Sequence, residues 1–140
     1  MSNESAKKTL GVFKWIYIIE GIFSGLIGVL FFVYQNHEAL IKASDKIINT
    51  SNFKLPDGMS LAVFLGIAFV AIAIFDFIDA WLFSRAKKDG KKTTLLMVLL
   101  VLSSISGIYN LVTAFSVFNI TSLVITLVSL YAVYVVRKAA

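Results

Sequence analysis

The stretch SLAVFLGIAFVAIAIFDFIDAWLFS, Ser60 to Ser84, contains no proline and no charge except Asp76 and Asp79. At a rise of about 1.5 Å per residue, a helix of this length covers the roughly 30 Å of bilayer hydrocarbon. Its apolar residues neither alternate, as barrel strands require, nor keep to one stripe, as a helix on a soluble core does. A backbone in hydrocarbon has no water to bond and must satisfy its own N–H and C=O groups. The stretch therefore reads as a membrane-spanning helix.

Three further blocks of the same character flank it. The first runs from about Leu10 to Tyr34, interrupted by Lys14 and Glu20; the others run from Thr93 to Phe115 and from Val117 to Val136. With 59% hydrophobic and 15% charged residues among 140, the chain has too little polar surface to enclose a soluble core. The expected fold class is all-α integral membrane: a four-transmembrane-helix bundle, forming a single transmembrane domain over 1–140. The first block is too long for the apolar core of a signal peptide and lacks a small-residue cleavage site after it, so it is expected to remain as a span.

The basic residues set the expected orientation, because lysine and arginine near span ends are retained in the cytoplasm. With the N-terminus inside, Lys7, Lys8, Lys14, Arg85, Lys87, Lys88, Lys91, Lys92, Arg137 and Lys138 all fall on the cytoplasmic side, leaving only Lys42, Lys46 and Lys54 outside. The expected topology is thus N-in/C-in, multi-pass in the cell (plasma) membrane. The net charge of +5 follows from this arrangement and from attraction to anionic headgroups, with Arg85, Lys87, Lys88, Lys91 and Lys92 as headgroup contacts. A nucleic-acid partner is not needed to explain it. Trp15, Trp81, Tyr131 and Tyr134 fall near the expected inner boundary, and Tyr34 near the outer one.

Between the first two spans lies the one sizeable loop, 35–59. Leu40, Ile41, Ser44, Ile47 and Ile48 follow helical spacing, with Glu38, Lys42, Asp45, Lys46 and Asn49 on the opposite face. This predicts a short amphipathic helix in the outer loop, followed by a turn at Pro56-Asp57-Gly58. The basic segment 85–92 reads as the inner loop between spans two and three. Spans three and four are joined so closely around Ser116 to Asn119 that they must pair as a hairpin.

Glu20, Asp76 and Asp79 are carboxylates within spans, where an acid at the centre costs about 2.5–3.5 kcal/mol on insertion scales. Asp76 and Asp79, at i and i+3, share a helix face. Convergence of all three would require protons, a cation or basic partners, because neighbouring buried charges disfavour one another. Two readings stay open: acids that fix helix packing through hydrogen bonds, or a site for a cation or protons.

Small residues mark close helix approach. Gly21 and Gly25 form a GxxxG pair, Ser24 and Gly28 a second small pair, and Ser103 and Gly107 a third. Asn110 shares a face with Ser103, Ser106 and Gly107 and needs a partner for its amide. These positions form the expected helix-packing or oligomer face.

The chain has no cysteine, and His37 is its one histidine. No metal-ligand set, phosphate loop or nucleophile–base constellation is present, so the expectation is a noncatalytic protein needing no cofactor. The reading this favours is a small accessory, regulatory or protective (immunity-like) interaction subunit, working with a membrane-protein partner or as a homo-oligomer. The alternative is an oligomeric transporter or channel-like module that uses Glu20, Asp76 and Asp79.

Overall fold

The computed structural model is all-helical and describes the chain except residues 51–53 and 56–57, together with the side chains of 47, 48 and 50. Five helices follow in order: α1 Asn3–Val33, α2 Glu38–Thr50, α3 Leu61–Lys88, α4 Thr94–Thr113 and α5 Val117–Ala139. All except α2 are long and apolar enough to cross a membrane, as a multi-pass membrane protein requires. Their outer surfaces say the same: Val112, Phe115, Val117 and Phe118 are each at least 78% exposed. Apolar surface so extensive is not tolerated in water, whereas lipid tails solvate it at no cost.

The helices outrun the apolar blocks. The first starts at Asn3 rather than near Leu10, the third runs on to Lys88, and the last reaches Ala139. Hydropathy marks the part of a helix that lipid can solvate, but backbone hydrogen bonding continues as long as the ends are satisfied. Ser2 Oγ accepts from Ser5 N–H at 3.2 Å, and Ser60 Oγ accepts from Val63 N–H at 3.2 Å. Arg85, Lys87 and Lys88 occupy the last turn of α3, where cations complement the negative end of the helix dipole. The expected basic loop 85–92 therefore shrinks to residues 89–93.

Two compact units emerge from the packing: Ile18–Phe77, and Met1–Tyr17 with Ile78–Ala140. In the first, the later part of α1 runs antiparallel to the earlier part of α3. Gly25 faces Ala73, Gly28 faces Val70, and the Phe32 ring lies over Gly66. Phe31 stacks on Phe69 with centroids 5.8 Å apart. Gly28 is where the backbones come closest, since a Cβ there would stand 2.9 Å from Val70 Cγ2 and 3.0 Å from the Gly66 carbonyl. In the same unit, α2 buries Ser44 and half-buries Leu40, while an ion pair of 3.0 Å joins Lys42 to Glu38 on its exposed side. The side chains of Ile47 and Ile48 lie outside the described residues, as do Pro56 and Asp57; Gly58 takes a left-handed φ of 76°.

The second unit holds a core made by all four long helices. Ala6, Leu10 and Phe13 meet Leu82, Phe83 and Ala86, Leu96 and Leu100, and Ala132, Val133 and Val136. Phe83 stacks on Tyr17 at 5.4 Å and lies 6.3 Å from Phe13. The turn after α3 is clamped onto α5: a Cβ on Gly90 would collide with the Val136 carbonyl, and Thr93 Oγ1 donates to the Gly90 carbonyl at 2.9 Å. α4 and α5 pack along each other as a hairpin. Its connection is tied by Asn119, whose Nδ2 donates to the Ala114 carbonyl at 2.5 Å while its N–H bonds Ser116 Oγ at 3.1 Å.

Candidate functional site

The intramembrane acids receive different environments. In the unit Ile18–Phe77, Asp76 is 6% exposed, and its Cβ would stand 3.2 Å from a Cβ placed on Gly21. The small α1 residue is what lets the acid into the helix contact. Glu20 precedes Gly21 and is exposed, because one residue rotates the helix by about 100° and carries the side chain off the face that meets α3. Ser24, on that same face, is 8% exposed. Asp79 belongs to the other unit and is half-buried. Among the described residues, no three acids or histidines come close enough to hold a metal ion.

In the unit Ile18–Phe77 a cleft of about 560 Å³ opens between the end of α1 and α2. It is lined by Ile27, Leu30, Phe31, Leu40 and neighbouring alanines, with Tyr34 and His37 as its polar members. His37 is exposed and packs edge-on to Tyr34 at 6.3 Å.

The hairpin of α4 and α5 carries a polar face. Ser103, Ser106, Gly107 and Asn110, spaced i, i+3, i+4 and i+7, present one face of α4. With Ser122, Leu123 and Thr126 of α5 they line an open recess of about 390 Å³. Gly107 admits Leu123, whose Cδ1 would lie 3.1 Å from an added Cβ. Ser103, Ser106, Asn110 and Ser122 are all exposed. The hydroxyl of Thr126 donates to its own helix at the Ser122 carbonyl, 2.9 Å away, and Ser129 does likewise to Ile125 at 2.8 Å. The side-chain amide of Asn110 makes no hydrogen bond among the described residues; it is its backbone carbonyl that accepts, from Ala114 N–H and Asn119 Nδ2.

At the other end of the hairpin the basic residues separate. Arg85, Lys88 and Lys92 share a recess of about 330 Å³ with Trp81, Ser84 and Asp89. Lys87 turns elsewhere and extends over Gly11, its Nζ 3.0 Å from where a Cβ would be, and Lys91 is exposed outside the recess. Arg137 holds α5 to α4 through Thr94 Oγ1 at 3.1 Å.

Trp81 does more than mark the expected inner boundary, lying against Arg85, and Ser84 and Asn119 take places in the recess and the hairpin connection that were not expected of them. The i, i+4 spacing of Trp81 and Arg85 and the serine three residues before Asn119 are the signals that could have found them. Compared with known proteins, the chain matches no family model, no curated protein and no solved structure.

Proposed function

We propose that the protein is a noncatalytic membrane interaction subunit that docks a helix of a membrane partner on the polar face of its α4/α5 hairpin. The observation that carries this reading is the exposed Asn110 amide, in a hairpin whose two helices are both apolar enough to span the bilayer. In hydrocarbon a polar group with no partner is costly, and Ser, Gly and Asn on one helix face are the residues through which membrane helices associate. A partner helix seated in the recess would bond the amide and replace lipid at Ser103, Ser106 and Gly107. An accessory, regulatory or protective subunit needs no more than this.

In the proposed orientation both termini are cytoplasmic, in the plasma membrane. The positive bias of the span ends supports this, and so does the exposure of Trp15, Trp81, Tyr131 and Tyr134, each at least 49%, as a headgroup-level belt needs. The basic ends then meet anionic headgroups, and α2 lies on the outer side.

Photo-crosslinking in native membranes tests the docking. A crosslinker at position 106 should capture a discrete membrane protein, the capture should disappear with Asn110→Leu, and a crosslinker at the exposed position 74 of α3 should capture only lipid. Equal capture at both positions would overturn the assignment.

A second reading is favoured by the burial of Asp76, an acid 6% exposed in a membrane-crossing helix. Such residues often mark cation or proton sites, and an oligomeric transporter or channel-like module would use this one. Proteoliposome flux that Asp76→Asn leaves unchanged would remove that reading.

A further inference from the structure

We propose that the recess formed by Trp81, Ser84, Arg85, Lys88 and Lys92 is a specific binding site for the phosphate of an anionic phospholipid. This deepens one element of the reading above, the meeting of the basic ends with an anionic membrane face, and it rests on that element alone.

Four observations place the ligand. First, charge: three cations line the recess against one acid, Asp89. Among the described residues, none of Arg85, Lys88 and Lys92 has a carboxylate within ion-pair distance. Within the recess the three cations outnumber the acid and leave an excess of positive charge. Asp89 has a structural task, since its Oδ1 accepts the Lys91 N–H at 3.0 Å and helps shape the turn.

Second, the donors are positioned rather than scattered. Trp81, Ser84, Arg85 and Lys88 follow i, i+3, i+4 and i+7 on α3 and so form one ridge. The Arg85 guanidinium lies over the Trp81 ring, 5.4 Å from its centroid. A cation–π contact with an aromatic face restrains the guanidinium and leaves N–H groups available for the paired donation that suits phosphate oxygens.

Third, Lys92 is brought to this ridge by a turn with no slack. Gly90 packs directly beneath the Val136 carbonyl, Thr93 is fully buried, and Lys92 N–H bonds the Asp89 carbonyl at 3.0 Å. The chain therefore reverses at one defined place, which returns Lys92 to the recess lined by Arg85 and Lys88.

Fourth, the surroundings choose a lipid over a free anion. The recess sits at the end of a helix apolar enough to cross the bilayer, and Trp81 is 58% exposed beside it. An indole at that depth contacts acyl chains with its ring and headgroups with its N–H. With three cations against one acid, the recess suits a headgroup whose phosphate charge is not cancelled by choline, such as a phosphomonoester.

The test uses the full chain in nanodiscs, with native mass spectrometry counting phosphatidic acid bound against a phosphatidylcholine background. Neutralising the recess, with Arg85→Gln, Lys88→Gln and Lys92→Gln together, should weaken binding by about tenfold or more. Neutralising Lys7, Lys8 and Lys91 to Gln, the same charge change outside the recess, should weaken it less than about threefold. Trp81→Leu should reduce binding on its own without altering the charge. Equal losses in the two triple variants would overturn the site while leaving general headgroup attraction standing; no loss in either would overturn both. Complete displacement of the lipid by millimolar inorganic phosphate would reassign the recess to a free anion and overturn the lipid assignment.

Discussion

Two faces of small residues in this protein have similar composition and different fates. On α1, Gly21, Ser24, Gly25 and Gly28 are closed against α3, with Ser24 buried and the Gly28 backbone almost touching Gly66. On α4, Ser103, Ser106 and Asn110 stand exposed around a recess that only Leu123 partly enters, beside Gly107. The difference shows that a small-residue motif in a membrane helix specifies that something approaches closely, and not what. In lipid there is no hydrophobic drive between helices, so the choice falls to shape and to the few polar groups that require a partner.

Substitutions can break this contrast. Gly90→Ala, at the glycine where an added Cβ would meet the closest obstruction, should have the largest effect, a loss of about 2–3 kcal/mol, because the obstructing Val136 carbonyl is backbone and cannot rotate away. Thermal unfolding in a mild detergent would measure it. Next come the acids, with opposite signs. Asp76→Leu should destabilise by about 1–3 kcal/mol, since the new side chain must fit against Gly21. Glu20→Leu should leave stability unchanged or raise it by up to about 2 kcal/mol, because it removes an exposed carboxylate from a membrane-crossing helix. Stability changes of the same sign in these two variants would mean that the acids share one environment after all.

Smaller effects sharpen the comparison. Gly28→Ala should cost about 1 kcal/mol net, the strain against Val70 and Gly66 being partly offset by the better helix propensity of alanine. Ser106→Leu should change the stability of the isolated protein by no more than about 0.5 kcal/mol, since it projects from an exposed position. If the α4 face is a docking surface, that same variant should abolish crosslinking to the partner. A Ser106→Leu protein that unfolds like Gly28→Ala would show the face to be closed in the membrane by the chain itself.

Much of the fold was legible because the evidence for it adds up along the chain. Block length against bilayer thickness marked the segments around Ile67, Val101 and Val124 without reference to anything else in the molecule. Helix ends were less legible: α3 runs through the charged residues to Lys88, where hydropathy falls but hydrogen bonding does not. The candidate sites were legible only as residue types. Glu20 and Asp76 look alike in sequence, each an acid in an apolar run, yet one is exposed and the other buried. Lys87 and Lys88 are adjacent, and only Lys88 enters the recess with Trp81.

The sequence by itself determined that this chain makes four long apolar helices, because the cost of placing each residue in hydrocarbon is local and the bilayer acts as a ruler. Only the tertiary structure decided which way those helices face. A helix that is apolar all round carries no stripe to distinguish protein from lipid, so its rotation is set by contacts between distant residues, Gly28 with Val70 and Gly90 with Val136 among them. Which acid is buried, which lysine joins the recess and which small-residue face stays open all follow from that rotation.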